Sequence, residues 1–351
     1  MRVVIDNIGF SLQRMGGLSV VWGTLLNALK GSDIQYECME YPGGLDNKIR
    51  KDLSGLNVKQ YHPALLQFER YLDPKVDLDE PFIFHSSHYR IINNPKAINI
   101  TTVHDFTYER YRKGPAKWIH SWQKFKAIRK ADVVVCISEN TKRDVLHYVP
   151  DVSEDKIRII YNGVSSDYKP VESTSYANLG EYVIFVGSRD SYKNFDFVVE
   201  SLAKTSYKLA IVGRELNDRE KGFVEERLGD NYICLGYLSN SQLNELYNQA
   251  VCLAYPSSYE GFGIPVLEAQ RAGCPVIAFN SSSIPEVIGN TSLLMNNLTV
   301  QEFVDKLEML KDSAVRNGII DEGLKNSQRF SWEKMGAEYL SLYKELGAQW
   351  I

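Results

Sequence analysis

The sequence predicts an α/β protein built from two parallel-sheet domains, and three observations carry that prediction. Short apolar runs alternate with longer amphipathic stretches along the whole chain. The alternation restarts once, after Asn162-Gly163-Val164. With 351 residues the chain exceeds one ordinary core and suits two domains of roughly 150 to 180 residues.

In the first half the strand candidates are Val3 to Ile5, Phe82 to Phe84, Ile98 to Val103, Val133 to Ile137 and Ile157 to Tyr161. In the second half they are Tyr182 to Val186, Leu209 to Val212, Tyr232 to Leu235, Val251 to Tyr255 and Val276 to Phe279. Helix patterns such as Val20 to Leu29 and Phe195 to Ala203 lie between them. Nearly continuous apolar strands joined by crossover helices imply parallel sheets covered on both faces. The polar stretch from Ser165 to Gly180 reads as a linker. The expected division is a domain over 1–165, a linker over 166–180, a second domain over 181–330, and a last helix within 331–351. That helix, from Trp332 to Leu346, would follow Ser331 as its cap and return to the first domain.

Composition narrows the function classes. Hydrophobic content of 44% and charged content of 24% are those of a folded globular chain, not a disordered one. A net charge of −4 lacks the cationic surplus that nucleic-acid binding requires. The start, Met1-Arg2-Val3-Val4-Ile5-Asp6, has no signal-peptide core, and no apolar run reaches the ~18 residues of a membrane span, so a cytoplasmic protein is expected. Cys38, Cys136, Cys234, Cys252 and Cys274 show no CxxC spacing and read as small buried hydrophobes.

The densest chemistry runs from Ser257 to Ala269, Ser-Ser-Tyr-Glu260-Gly261-Phe262-Gly263-Ile264-Pro265-Val-Leu-Glu268-Ala. A strand leads into a Gly-rich turn, and Pro265 suits the first turn of the helix that follows. Glycine lets backbone approach a ligand closely, and the free N–H groups of a helix start attract phosphate. Ligands of open parallel sheets bind at the carboxyl ends of the strands, where this turn sits. Glu260 and Glu268 are suited to accept hydrogen bonds from vicinal sugar hydroxyls. The plainer reading is a strand–loop–helix unit with Glu268 on a solvated face.

Two glutamates spaced this way around Gly-Phe-Gly-Ile-Pro resemble the hallmark of the retaining GT-B glycosyltransferases of family 4. The resemblance continues through Gln270-Arg-Ala-Gly273-Cys-Pro275 and Ser283-Ile-Pro285-Glu286. It implies a GT-B fold, two facing Rossmann-like domains with parallel sheets. By position, Glu260 would contact hydroxyls of the donor sugar and Glu268 the ribose, and the amides of Gly261, Phe262, Gly263 and Ile264 would face sugar and diphosphate.

After the first strand of the second half comes Gly187-Ser188-Arg189-Asp-Ser-Tyr-Lys193. A departing diphosphate gains negative charge, which Arg189 and Lys193 could neutralise without a metal. The family's Gly-Arg…Lys loop resembles this segment with a departure, because Ser188 stands where many members have arginine. Lys193 is therefore the safer assignment. Val212-Gly213-Arg214-Glu215 matches the family's turn beside the nucleotide, and Gly236-Tyr237-Leu238-Ser239 the segment that meets the base. Both also fit ordinary strand-end turns.

In the first half, Thr101-Thr102-Val103-His104-Asp105 ends a strand where the family commonly carries a histidine opposite the donor sugar. His104 would hold the sugar or the acceptor hydroxyl, with an imidazole able to change protonation near neutral pH. The plainer reading has it capping a neighbouring carbonyl. Gly16 and Gly17, in Met15-Gly16-Gly17-Leu18-Ser19, resemble the family's loop near diphosphate and acceptor. His85 and His88 match no motif, and a metal would need a third ligand. Ser138 reads as a helix cap, with Thr141 in the first turn. Asp77-Leu78-Asp79 reads as a solvated loop. Residues 110–130 interleave basic residues with Trp118, Ile119, Trp122, Phe125 and Ile128, giving either a peripheral membrane helix or a core helix with a basic side.

The resemblance implies a retaining transfer of a hexosyl group from a nucleotide-sugar to a sugar or lipid-linked acceptor, in surface polysaccharide or lipopolysaccharide synthesis at or near the inner membrane face. It implies no metal and no cofactor, the nucleotide-sugar being a substrate. A nucleotide-sugar 2-epimerase and an inactive scaffold subunit share the architecture and stay open.

Overall fold

The computed structural model describes residues 2–14, 16–63, 65–172 and 175–348. The chain divides into two compact units, Met1–Gly163 with Trp332–Ile351, and Val164–Ser331.

The first unit carries a seven-stranded sheet of β1 (Arg2–Asp6), β2 (Gln35–Glu40), β3 (Val58–Gln60), β4 (Phe82–Ser86), β5 (Ala97–Val103), β6 (Val133–Cys136) and β7 (Ile157–Ile159), in the order 3-2-1-4-5-6-7. Every pairing is parallel, with Val3 of β1 set between Tyr36 and Ile83. Such a sheet must be covered on both faces, and its central strands are accordingly apolar throughout. On one face Val3, Ile5 and Ile83 pack against Leu25, Leu26 and Leu29 of helix Gly17–Lys30. The last helix, Trp332–Ala348, joins the same core through Met335, Tyr339, Leu342 and Tyr343.

The second unit repeats the plan with six strands: β8 (Tyr182–Val186), β9 (Lys208–Val212), β10 (Tyr232–Cys234), β11 (Cys252–Tyr255), β12 (Val276–Phe279) and β13 (Leu294–Met295). Their order is 10-9-8-11-12-13, again all parallel. Both sheets therefore reverse direction once, beside β1 in the first and beside β8 in the second. At such a reversal the loops after the two central strands diverge and leave a crevice for a ligand.

Three strands escape the apolar-run reading. β2, Gln-Tyr-Glu-Cys-Met-Glu, is half polar because it lies towards the sheet edge, beside the edge strand β3. The edge strand β13 has only two residues. The segment read as a linker is laid onto the second unit. Tyr168 is buried with its ring 6.1 Å from that of Tyr247, and the N–H groups of Lys169 and Val171 donate to the side chains of Asn244 and Asn248 at 2.9 and 2.8 Å. Residues 173 and 174 of that segment, like Met15 of the Gly-Gly loop, lie outside the described residues.

Candidate active site

The loops after β8, β11 and β12 meet at the carboxyl ends of the second sheet, and side chains stitch them together. Asn194, left-handed at φ 52°, donates through Nδ2 to the carbonyl of Pro256 and to Ser258 Oγ, both at 2.8 Å. The Ser258 N–H donates to the carbonyl of Tyr192 at 2.8 Å. From the β12 side, Ser282 Oγ accepts the N–H of Glu260 at 2.8 Å, and Ser283 Oγ donates to the carbonyls of Glu260 and Phe262 at 2.9 and 2.8 Å. Ser282 also lies at φ 52°, a conformation that costs a non-glycine residue on the order of 1 kcal/mol and persists only where the surroundings fix it. What it fixes is the backbone of Glu260.

Lys193 and Glu260 come together on this frame. Lys193 leaves the β8 side and Glu260 the β11 side of the reversal, and Nζ meets Oε1 at 2.5 Å. Both side chains keep about one-seventh of their surface, 14% and 13%, so the pair is accessible yet poorly hydrated. The ammonium also lies 5.5 Å from the ring centre of Tyr255 and 5.4 Å from that of Tyr192. A cation and a carboxylate held so at a strand-end crevice can serve an anionic leaving group and a polyhydroxylated one.

Helix Ile264–Arg271 starts behind Glu260, with Pro265 in its first turn. Gly263 precedes it at φ 114°, where a Cβ would stand 3.1 Å from Ile284 Cδ1, so glycine is required. Gly261 is buried, and the Phe262 ring is in the core, edge-on to Phe330 with centroids 5.6 Å apart. Glu268 is half-buried, with Tyr168 and Tyr247 beside it. Burial raises its carboxyl to about 7, against the pull of the two phenols. It does not stand on a solvated helix face.

Arg189 is engaged with the β9 side. Its guanidinium donates to the carbonyls of Arg214 and Glu215, each at 2.7 Å, and lies 3.1 Å from Glu220. It ties the β8 loop to the β9 loop, while the neighbouring Ser188 bonds Asp190 at 2.8 Å. Gly213 completes that junction, since a Cβ there would stand 2.9 Å from the Gly187 carbonyl, and its N–H donates to Gly236 at 2.9 Å. Beyond Gly236, Tyr237 is 75% exposed, Leu238 is half-buried, and Ser239 caps helix Asn240–Gln249 in a reciprocal bond with Gln242.

In the first unit, His104 sits half-buried at the end of β5, followed by Asp105, whose carbonyl accepts Lys124 Nζ at 2.9 Å. Burial, with Lys124 adding to it against Asp105, holds its imidazole down at about 4. The expectation of protonation changes near neutral pH is thereby corrected: His104 is a neutral ring that can donate one hydrogen bond and accept another. Gly16 precedes helix Gly17–Lys30 in extended backbone, and Gly17 opens that helix with open space at its Cα.

His85 is a core residue, bonded to Tyr343 Oη at 2.7 Å and Thr102 Oγ1 at 2.8 Å. His88 Nε2 meets Arg70 at 3.0 Å. Among the described residues no group of three or more His, Cys, Asp or Glu is gathered for a metal. Ser138 does cap its helix, accepting the Thr141 N–H at 3.0 Å. Asp77 and Asp79 are exposed, as a solvated loop requires. Asn194, Ser282, Tyr168 and Tyr247 are the site residues that sequence reasoning missed, and Ser283 entered it only as part of a motif. The one readable signal is Asn194 after Lys193, because asparagine tolerates the left-handed turn.

Comparison with known proteins agrees over nearly the whole chain. The family described as Glycosyl transferases group 1 matches residues 176–326, and Glycosyltransferase Family 4 matches 15–168. The chain is similar to the O-antigen chain mannosyltransferase B of Escherichia coli, 26% identical over 313 residues and 81% of each chain. In fold it is similar to the sucrose-phosphate synthase of Thermosynechococcus elongatus, at a TM-score of 0.79 and 18% identity over 99% of this chain and 100% of the other. It is similar also to Anabaena HepE, solved with UDP and glucose, at 0.73 and 15% identity over 98% and 100%. The two parallel sheets with their single reversals, the strand-end pair of Lys193 and Glu260, and these matches lead to one conclusion: the chain belongs to the group 1 glycosyltransferases of GT-B fold.

Proposed function

We propose that this glycosyltransferase moves a hexosyl group from a nucleotide-sugar to a sugar or lipid-linked acceptor with retention of anomeric configuration, in surface polysaccharide synthesis at the inner membrane face. The single observation that carries the reading is the Lys193–Glu260 pair at the strand-end reversal. The E. coli relative bears the name of an O-antigen chain mannosyltransferase, which supports a hexose and a polysaccharide. HepE was solved with UDP and glucose, which supports a nucleotide-sugar.

In this mechanism the bond between the anomeric carbon and the diphosphate oxygen breaks while the acceptor oxygen bonds that carbon from the same face. The acceptor's proton passes to the departing phosphate oxygen, so no dedicated carboxylate base is needed. Lys193 leaves Glu260 in part to take up the growing phosphate charge, an interaction stronger in the transition state than before it. Glu260 then accepts hydrogen bonds from the sugar hydroxyls and Glu268 from the ribose. His104, as a neutral ring, orients the sugar or the acceptor hydroxyl. Gly213, Tyr237 and Leu238 border the base, and Gly16 and Gly17 serve the diphosphate and acceptor.

A thermal-shift screen over UDP, GDP, ADP and their sugars would find the donor, since a ligand of the native state raises its melting temperature. Incubation with that donor and an acceptor, followed by proton NMR of the product, should give the donor's anomeric configuration. Inverted product would overturn retention, and an isomerised sugar formed from donor alone would make the protein an epimerase.

A further inference from the structure

Helix Pro115–Lys130 turns three polar residues inward beside Ala127 and Ile128. Ser121, Gln123 and Lys124 are buried, while Trp118, 73% accessible, Trp122, 59% accessible, and Ile119 face solvent. The inward groups are engaged with protein. Ser121 Oγ donates to Glu109 at 2.8 Å, Lys124 Nζ reaches the other oxygen of Glu109 at 2.7 Å, and Gln123 Nε2 donates to the carbonyl of Arg70 at 2.5 Å.

The short helix Leu66–Glu69 and its flanks repeat the inversion. Glu69 accepts from the fully buried Arg90 at 3.3 Å and Arg70 points to His88, leaving Leu65, Phe68 and Leu72 outward. Leu65 and Phe68 are 63% and 64% accessible. The Gln123–Arg70 bond and a 2.5 Å pair of Lys126 with Asp73 set the two segments side by side. Their outward residues therefore form neighbouring parts of one apolar, Trp-bearing surface within the first unit. Scattered single apolar residues need no explanation, but a grouped patch backed by inward charges marks an interaction surface.

The charges around it select the partner. From Arg110 to Lys130 the chain contains no carboxylate, and Lys113 and Lys117 precede the exposed Trp118, although the protein as a whole carries −4. The carboxylates of the neighbouring segment, Glu69 and Asp73, are paired with Arg90 and Lys126. A second copy applied symmetrically would set like charges together. A glycan stacks on flat rings but gains little from Leu65, Leu72 and Ile119. Tryptophan settles at the headgroup level of a bilayer, aliphatic side chains reach the acyl boundary, and lysine meets anionic lipid. We propose that this face of the first unit docks on the surface of an anionic bilayer, with Trp118, Trp122, Phe68 and Leu72 as its anchors. The proposal gives the lipid-linked reading above a definite surface, and it is tested on vesicles that hold no acceptor, so it stands or falls apart from sugar transfer.

The full chain is floated with phosphatidylcholine vesicles and with vesicles containing phosphatidylglycerol. Binding to the anionic vesicles should exceed binding to the neutral ones by about tenfold and weaken with salt. Trp118→Ala with Trp122→Ala, and separately Phe68→Ser with Leu72→Ser, should each lower it by about tenfold, with nucleotide binding unchanged. Brominated lipid should quench the tryptophan fluorescence of the unaltered protein, a readout independent of any variant's folding. No binding to anionic vesicles, equal binding to both kinds, or binding that survives both double variants would overturn the proposal. So would a dimer that the same variants dissociate in sedimentation velocity.

Discussion

Lys193 Nζ stands 2.5 Å from Glu260 Oε1, so a cation from one side of the β8/β11 reversal is neutralised by a carboxylate from the other. The pair keeps both charges in place and available at a poorly hydrated crevice. If Lys193 transfers its attention to a leaving diphosphate, Lys193→Ala should lower turnover by more than ~10-fold at saturating donor. Lys193→Arg should recover only part of that, since a planar guanidinium does not replace a compact ammonium. Steady-state rates check both. An unchanged rate in the alanine variant would mean the phosphate is held elsewhere.

The same reasoning bears on metal. In the proposed mechanism, Lys193 and the backbone N–H groups at the start of helix Ile264–Arg271 would supply positive potential where a divalent ion would otherwise act. Turnover should therefore survive EDTA at full rate. Activity lost in EDTA and restored by Mn²⁺ would reassign the charge compensation from protein to ion.

How much of this was legible in the sequence follows from how local each signal was. The strand candidates at Tyr182 to Val186 and Val251 to Tyr255 were readable because central parallel strands are apolar throughout, and β8 and β11 match them within a residue. β2 was not, because Gln35, Glu37 and Glu40 break its apolar run, Glu40 being buried against Arg50. Glu260 and Lys193 were visible as residues, whereas their contact spans 67 positions and depends on Asn194 and Ser282, which carry no chemistry of their own. The partners of Arg189 were hidden for the same reason: its carbonyl partners on the β9 loop lie 25 and 26 residues away. Tyr168 was hidden in a stretch read as a linker, where a buried aromatic was not expected.

The core of the first unit offers a stability test. His85 is fully buried between Tyr343 Oη and Thr102 Oγ1, so a bond between β4 and the last helix closes over the sheet. Tyr343→Phe leaves that ring nitrogen without its partner and should cost about 1–3 kcal/mol in urea unfolding. Burial also holds His85 down at about 3, below the ordinary histidine value of 6.5. The unfolded chain thus binds a proton that the folded one refuses. The stability from this neutral ring is present above pH 6.5 and is lost as pH falls from there towards 3. Tyr343→Phe with undiminished stability would show the bond to be dispensable.

The two glutamates should separate by ligand and by pH. Glu268, raised by burial to about 7, is half protonated at neutrality in the free protein. A ribose whose hydroxyls donate to Glu268 needs the carboxylate, so its proton competes with nucleotide. Affinity for free nucleoside diphosphate should therefore fall as pH drops below about 7, approaching tenfold per pH unit. Glu268→Gln keeps the shape but removes the charge. It should weaken the nucleotide by ~1.5–3 kcal/mol at alkaline pH and abolish the Glu268 part of the pH dependence. What dependence remains belongs to the terminal phosphate of the nucleotide and is common to every variant. Glu260→Gln should leave both the affinity and its pH profile as in the unaltered protein, while turnover with the intact donor falls in both variants. Calorimetry from pH 5.5 to 8.5 on the three proteins decides the assignment. Equal weakening by the two substitutions would refute the division of roles, and a profile flattened by Glu260→Gln alone would exchange them.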